Sequence, residues 1–361
     1  MHKQLLGDRL QKFGRDDCFL CGTDLSAAPG IRTEEHVFPK WLLQELNLWH
    51  HSITQLNGQL AYYRRLKVPC CQRCNGEHLS RVEARIKAAY LEGPSAFREL
   101  DRRDLFIWLG KIYYGIIYRE SHEPQLVREQ AGERLVPADH LKTLSFHHFL
   151  LQSVADRLDW FPRFPGPASF HFFECLDDED PLRRFDYMDD LGTPMLAIRI
   201  GRIGIVGVLQ DWGRSENVQQ PHLVAAREMK LHPTQFREVY GRLKYMTEIA
   251  WRDNVHPTVG GPECVTVLYD PAQEFRGEVD PGEQARVLAS LWGVSPQAIT
   301  KDGMGMSTIC DMSGSPLTAP DHGLIFFSLD GSTGLWPANQ VELTEELLKS
   351  PCIGTDSPSP D

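Results

Sequence analysis

The sequence predicts a mixed α+β protein in two parts, a small cysteine-rich N-terminal region and a larger region of helix-like and strand-like segments. Three observations support this fold class. Cysteine, histidine and turn residues are concentrated in residues 1–93. Apolar periodic patterns typical of buried helices follow at 105–118 and 140–158. Apolar runs that predict strands lie at 169–175, 195–200 and 203–209.

The other elements follow from shorter signals. After a break at 161–167, residues 221–253 read as helix with an interruption at Pro233, and 283–292 as a short helix. Strand-like runs lie at 264–269 and 323–329. We therefore predict a domain at 1–93, an α+β domain at 94–349 and a flexible Ser/Pro-rich tail at 350–361.

Composition and length exclude several protein classes. The 361 residues are enough for two domains, and 42% apolar and 24% charged residues exclude a mainly disordered, collagen-like or coiled-coil chain. The most apolar run, 195–209, is interrupted by Arg199 and Arg202, so no membrane-spanning segment or membrane partner is expected. Residues 1–15 lack the apolar core of a secretory signal, which favours a reducing, cytoplasmic location.

The net charge of −11 is unevenly distributed. Residues 1–104 hold 16 Lys and Arg against 13 Asp and Glu, whereas the remainder holds 22 against 36. A mildly basic N-terminal part is compatible with a polyanionic ligand, and the acidic remainder is not.

Two Cys-x-x-Cys pairs carry the most specific signal. Cys18 and Cys21 form the first pair, and Cys71 and Cys74 form the second. Two such pairs fill a closed tetrahedral site for structural Zn²⁺. The competing interpretation, a redox pair, is less favoured because redox pairs normally occur singly. The extra Cys70 is interpreted as a packing residue, because only Cys71 has the two-residue spacing to Cys74.

Between and after these pairs, the chain resembles the HNH, or ββα-metal, endonucleases, in the branch that is stapled by zinc. Glu35 and His36 precede two apolar residues and Pro39, and Asn75 and His78 follow the second cysteine pair. The four elements occur in the family's order within about residues 15–92, a quarter of the chain. The resemblance implies a small zinc-bound ββα-metal domain.

The resemblance also implies an activity, the hydrolysis of DNA phosphodiester bonds with a divalent cation. His36 would activate water, since a neutral imidazole is the natural base near pH 7. Glu35 and Asn75 would bind catalytic Mg²⁺ or Mn²⁺ through oxygen atoms. His78, expected one helical turn after Asn75, would serve as a metal ligand or phosphate donor.

The chain departs from the family pattern at three points. The family's Asn before the second cysteine pair is replaced by cationic residues, so the group that orients His36 is open. Glu35 stands where Asp is common, and Glu34 could compete with it as a ligand. The insert before Cys71 is long, and we predict a helix at 40–48 and a hairpin at 52–68 with Asn57 in its turn.

Basic residues near this segment predict contacts with nucleic-acid phosphates. The predicted contacts are Arg64, Arg65, Lys67, Arg81 and Arg85. The alternative is that the first three protect an exposed strand edge by charge.

Two other functions remain open at this stage. One is an RNA-cleaving toxin or effector that uses the same site. The other is a non-catalytic zinc module that binds nucleic acid or protein.

Families that combine a ββα-metal nuclease domain with a second domain are often bacterial nucleases in DNA processing or phage defence. The resemblance then implies that the larger domain serves recognition or regulation, through a protein partner or a second copy of the chain.

Overall fold

The computed structural model describes residues 15–27, 29–55, 60–122, 144–217, 221–250, 258–260, 264–269, 280–292, 324–327 and 333–336. Within these ranges the fold is α+β, as predicted. The described helices are α1 (Lys40–Glu45), α2 (Ser80–Glu92), α3 (Pro94–Arg98), α4 (Arg102–Glu120), α5 (Ser145–Leu151), α6 (Pro221–Glu228), α7 (Pro233–Ala250) and α8 (Pro281–Trp292).

The described strands form several small sheets and one sheet of five strands. They are β1 (Arg32–His36), β2 (Ser52–Thr54), β3 (Leu60–Tyr62), β4 (Lys67–Cys71), β5 (Leu158–Phe161), β6 (Ser169–Cys175), β7 (Phe185–Asp190), β8 (Met195–Ile200), β9 (Ile203–Val208), β10 (Lys230–Leu231), β11 (Thr258–Gly260), β12 (Val265–Leu268), β13 (Leu324–Phe327) and β14 (Thr333–Trp336).

The chain divides into two compact units. The first consists of Met1–Ser169, Leu209–Gly213 and Asp253–Ala272. The second consists of Phe170–Val208, Arg214–Arg252 and Gln273–Asp361. The predicted zinc-binding segment therefore lies in the first unit, together with α4 and α5.

Helix α4 is the core of the first unit, because almost all of its residues are buried. Its N-terminus is capped by Asp101, whose carboxylate accepts a hydrogen bond from the Arg103 amide at 2.8 Å. Gly115 allows close packing, since a Cβ atom there would lie 3.2 Å from Val37, directly after β1. The strand that carries His36 is thus packed against α4.

The second unit is built on a five-stranded sheet in the order β10-β6-β9-β8-β7. Helix α7 packs its apolar face, including Phe236, Tyr240 and Leu243, into the same buried cluster as the sheet. Gly204 makes room for this helix, because a Cβ atom would lie 2.7 Å from the Phe236 ring. Leu223 and Ala226 of α6 belong to the same cluster, so one face of the sheet and at least two helices form the core.

Most predicted elements are confirmed, including the helix at 105–118 and the three strands at 169–209. The helix predicted over 140–158 is confirmed in part: α5 is followed by a 3₁₀-helix at Gln152–Ala155, but β5 begins at Leu158. β5 pairs in parallel with β12, a long-range contact that local periodicity does not reveal. Residues 140–143, Asn57 and the tail at 350–361 lie outside the described residues.

The predicted hairpin at 52–68 is only partly correct. β2 and β3 pair with each other, whereas β4 pairs with β1. Among the described residues, none of the helices is both long and apolar enough to cross a membrane.

Candidate metal centre and active site

Four cysteines meet at one point of the first unit, as the sequence predicts. The sulfur atoms of Cys18, Cys21, Cys71 and Cys74 all lie within 4.8 Å of one another. Cys18 and Cys21 occupy a turn closed by a hydrogen bond from the Gly22 amide to the Cys18 carbonyl at 2.8 Å. The Cys74 amide donates to Cys71 Sγ at 3.4 Å, at the junction of β4 with the following helix.

This cluster has the dimensions of a tetrahedral thiolate site. Sulfur ligands at about 2.3 Å from zinc stand about 3.8 Å from one another, and Cys21 Sγ lies 3.8 Å from Cys71 Sγ. Cys70 lies outside the cluster but is fully buried, with its sulfur 3.9 Å from Cys18 Sγ. The four clustered cysteines can therefore hold a metal ion and fit structural Zn²⁺.

Strands β1 and β4 position the predicted active-site residues. They pair antiparallel, with Glu35 opposite Val68 and His36 opposite Lys67. Glu35 points into the unit and is 6% exposed. The Glu34 side chain is 63% exposed and pairs with Lys67 at 3.1 Å. The two glutamates that the sequence leaves open thus face opposite sides of the strand.

Asn75 is docked onto β1. It lies in a π-helical turn, Cys74–Leu79, that joins β4 to α2. Its side-chain Nδ2 donates to Thr33 Oγ1 at 3.0 Å and to the Glu34 carbonyl at 3.2 Å. Because side chains alternate along a strand, Thr33 and Glu35 share one face of β1. The structure therefore places Asn75 on the face of β1 that carries Glu35.

His36 ends β1 and is half-buried. Its ring lies 5.8 Å from the Trp49 ring, centroid to centroid. Its Nε2 is buried without a hydrogen-bond partner among the described residues. Burial lowers the pKa of His36, and the positive charges of Lys67 and Lys111 lower it further. The imidazole is therefore neutral near pH 7 and able to accept a proton.

The structure adds two residues that sequence reasoning missed. Lys111 of α4 donates to Glu35 Oε1, and also to Glu83 Oε1 of α2 at 2.7 Å. The Lys111 side chain is only 1% exposed. A signal was present in the sequence, because Lys111 is the single charged residue within the apolar run 105–118. A lone charge in a buried helix requires a buried partner.

His78 and Asn75 have different neighbours. Its ring is buried, and Arg81 approaches its Nδ1 at 3.2 Å. It lines a groove of about 460 Å³ together with Cys21, Cys71 and Cys74. Burial lowers its pKa, and the charges of Arg73 and Arg81 act in the same direction. Asn75 is not among the residues that line this groove, and residues 74–79 form a π-helical turn instead of the α-helical turn that the sequence predicts.

The basic side chains that are predicted to contact phosphates differ in their partners within the protein. Arg85 forms a two-point ion pair with Asp104. Lys67 pairs with Glu34. Arg64 donates to the Trp49 carbonyl at 2.9 Å and lies over the Tyr62 ring, 4.4 Å from its centroid.

Arg65 is exposed and lies 5.5 Å from the centroid of the same Tyr62 ring. No carboxylate among the described residues pairs with Arg64, Arg65 or Arg81. These three guanidinium groups therefore retain their charge for a polyanion.

Comparisons with protein-family models, with curated proteins and with the solved structures find no match to this chain. The site must therefore be interpreted from its own geometry.

Proposed function

We propose that the chain is a zinc-stapled ββα-metal endonuclease that hydrolyses DNA phosphodiester bonds with a divalent cation. One observation carries the proposal. The amide of Asn75, at the start of the helical segment, is docked onto β1 at Thr33 and Glu34, directly before Glu35 and His36 in the strand. Three residue types needed for metal-assisted hydrolysis are thus carried by, or docked on, one strand.

His36 is the proposed general base. Its lowered pKa keeps the imidazole unprotonated near neutral pH. The ring is held beside Trp49 rather than by a carboxylate or amide among the described residues. His36 would take the proton from the attacking water.

Glu35 and Asn75 are the proposed ligands of the divalent cation. Lys111 binds Glu35 through Oε1, and Asn75 makes its described hydrogen bonds through Nδ2. Glu35 Oε2 and Asn75 Oδ1 are therefore the atoms suited to a hard cation. A bound Mg²⁺ or Mn²⁺ would stabilise the charge on the scissile phosphate and the leaving oxygen.

A nucleic acid is the proposed ligand because Arg64, Arg65 and Arg81 lack carboxylate partners among the described residues, and the resemblance to the ββα-metal endonucleases implies that it is DNA. Arg64 and Arg65 lie on the same insert as Trp49, whose ring lies beside His36. The Trp49 backbone carbonyl accepts a hydrogen bond from Arg64. Contacts of this kind bind the phosphate backbone without reading its sequence.

The test compares plasmid DNA with structured RNA, each with and without Mg²⁺ or Mn²⁺. We expect divalent-dependent cleavage of the plasmid, reduced by about 10² to 10⁴ in His36→Ala, the usual loss for a general base. His51→Ala is the matched control, because His51 is exposed in the same insert. Normal cleavage by His36→Ala would contradict the assignment, and cleavage of RNA alone would indicate an RNA-cleaving effector.

A non-catalytic zinc module is the second candidate. The ion pair between Lys111 and Glu35 favours it, because an engaged carboxylate binds a further cation less readily. This candidate predicts DNA binding without cleavage of either substrate, and binding that His36→Ala leaves unchanged.

A further inference from the structure

Glu35, Lys111 and Glu83 form an ion triad that joins β1, α4 and α2. The side chains are 8%, 1% and 20% exposed respectively. Lys111 Nζ contacts one oxygen of each carboxylate. The ammonium therefore occupies the space between two carboxylates, the position that a divalent cation would take if it bridged them.

Lys111 Nζ contacts both carboxylates, and two carboxylates around one ammonium favour its charged form. A second cation that approaches Glu35 therefore meets the repulsion of this ammonium.

We propose that Lys111 is a positioning residue whose ammonium is the resident cation of the Glu35 and Glu83 pair, so that a divalent ion binds Glu35 only in competition with it. The proposal rests on the proposed function in taking Glu35 as a ligand of the catalytic ion. Under this proposal, Lys111 sets the concentration of divalent ion that is needed to occupy the site at Glu35.

Mn²⁺ binding to the full zinc-loaded chain tests the proposal without relying on cleavage. The free ion is measured by its electron paramagnetic resonance signal. In Lys111→Met the repulsion is removed and both carboxylates remain, so we expect the Mn²⁺ Kd to fall by about tenfold or more. Lys111→Arg keeps the positive charge, and we expect its Mn²⁺ Kd to stay within about threefold of wild type.

Glu83→Gln should shift the affinity in the opposite direction. Lys111 then has Glu35 as its only carboxylate in the triad, and one negative charge is lost. We expect the Mn²⁺ Kd to rise by about tenfold. Glu34→Gln is the matched control, because Glu34 is exposed on the other face of β1 and pairs with Lys67. Its Kd should stay within about twofold of wild type.

Zinc content and the far-ultraviolet circular dichroism spectrum report whether each variant folds. If Lys111→Met does not fold, Glu83→Gln decides the question, because it keeps the pair between Lys111 and Glu35. A Kd that neither variant changes overturns the proposal, as does the absence of Mn²⁺ binding by wild type and Lys111→Met alike.

The proposed function is judged separately in the plasmid assay. Mn²⁺-dependent cleavage together with an unchanged Kd in the variants would retain the nuclease and reject the role of Lys111. A Lys111→Met chain that gains an Mn²⁺ site but cleaves nothing would retain the role of Lys111 and reject the nuclease.

Discussion

His147 shows how the environment of a single residue controls its protonation. It is fully buried, and its Nε2 donates to the Gly110 carbonyl at 3.1 Å. Its Nδ1 is buried without a partner among the described residues, so a proton there would lack an acceptor. A Cβ atom at position 110 would lie 2.9 Å from the His147 ring, and glycine thus permits the approach. Burial lowers the pKa of His147 to about 4.

We expect His147 to make the first unit less stable in mild acid. Its folded pKa lies below the value of 6.5 for a free imidazole, so the unfolded chain binds a proton first as pH falls below that value. The contribution of His147 to the free energy of unfolding should drop by about 2 kcal/mol between pH 7.5 and pH 5. Urea unfolding of wild type and His147→Gln at both pH values checks this, since the zinc thiolates respond equally in both proteins. An identical pH dependence in the two would contradict it.

Among the elements, the junction of β4 and α2 connects the metal cluster to the proposed active site. Cys71 ends β4, Cys74 begins the π-helical turn, and Asn75 follows directly. A metal ion bound by both cysteines would fix the start of the helical segment and the position of the Asn75 amide on β1.

We expect Cys71→Ser to release the zinc and unfold this junction, because zinc-site binding energy is folding energy in small regions. Elemental analysis should find about one zinc per chain in wild type and far less in the variant. Cys70→Ser is the matched control, since Cys70 is buried nearby but lies outside the four-cysteine cluster. Full zinc content in Cys71→Ser, or its loss in Cys70→Ser, would show that the ligands are assigned wrongly.

Substitutions in the insert and in helix α2 should change the salt dependence of DNA binding to different extents. Arg65 is exposed and has no carboxylate partner within the part of the chain that the structure describes, whereas Arg85 is paired at two points with Asp104. Arg65→Gln should lower the slope of log K against log salt for DNA binding by about 0.9, the effect of one lost phosphate contact. Arg85→Gln should leave the slope unchanged. Binding isotherms across a salt series decide, and equal slopes in wild type and Arg65→Gln would remove Arg65 from the interface.

At the scale of the whole molecule, the zinc-binding segment depends on residues far beyond position 93. The ring of Phe19 packs against Tyr118, with centroids 6.3 Å apart. The Phe19 carbonyl accepts a hydrogen bond from His148 Nε2 at 3.0 Å, and Gln152 Nε2 donates to the Leu20 carbonyl. The turn that carries Cys18 and Cys21 is thus held by α5 and the residues after it.

We expect a fragment of residues 1–93 to lack cooperative folding even with zinc. It loses Lys111, and a buried carboxylate without its partner costs about 3–5 kcal/mol. It also exposes the apolar surface that packs on α4. Urea unfolding with equimolar zinc, compared with the full chain, measures this. A cooperative transition in the fragment with the midpoint of the full chain would show that the segment folds independently.

The sequence by itself determined the four-cysteine cluster, the buried helix α4 and the strands β6, β8, β9, β12 and β13. These depend on local information, namely the two-residue spacing of thiolates and the periodicity of apolar side chains along one element. The same information proposed Glu35, His36 and Asn75 as neighbours. It could not choose between Glu34 and Glu35, because the direction of a strand side chain is set by which face the rest of the protein covers.

Only the tertiary structure decided which of the two glutamates is buried and what surrounds it. Lys111 reaches Glu35 across 76 positions of sequence, and β5 is a strand because it pairs with β12 about a hundred residues later. Such contacts arise from burial and pairing between distant segments, which no local pattern encodes. The surroundings of His36, and the cation beside Glu35, therefore follow from the packing of α4 against β1.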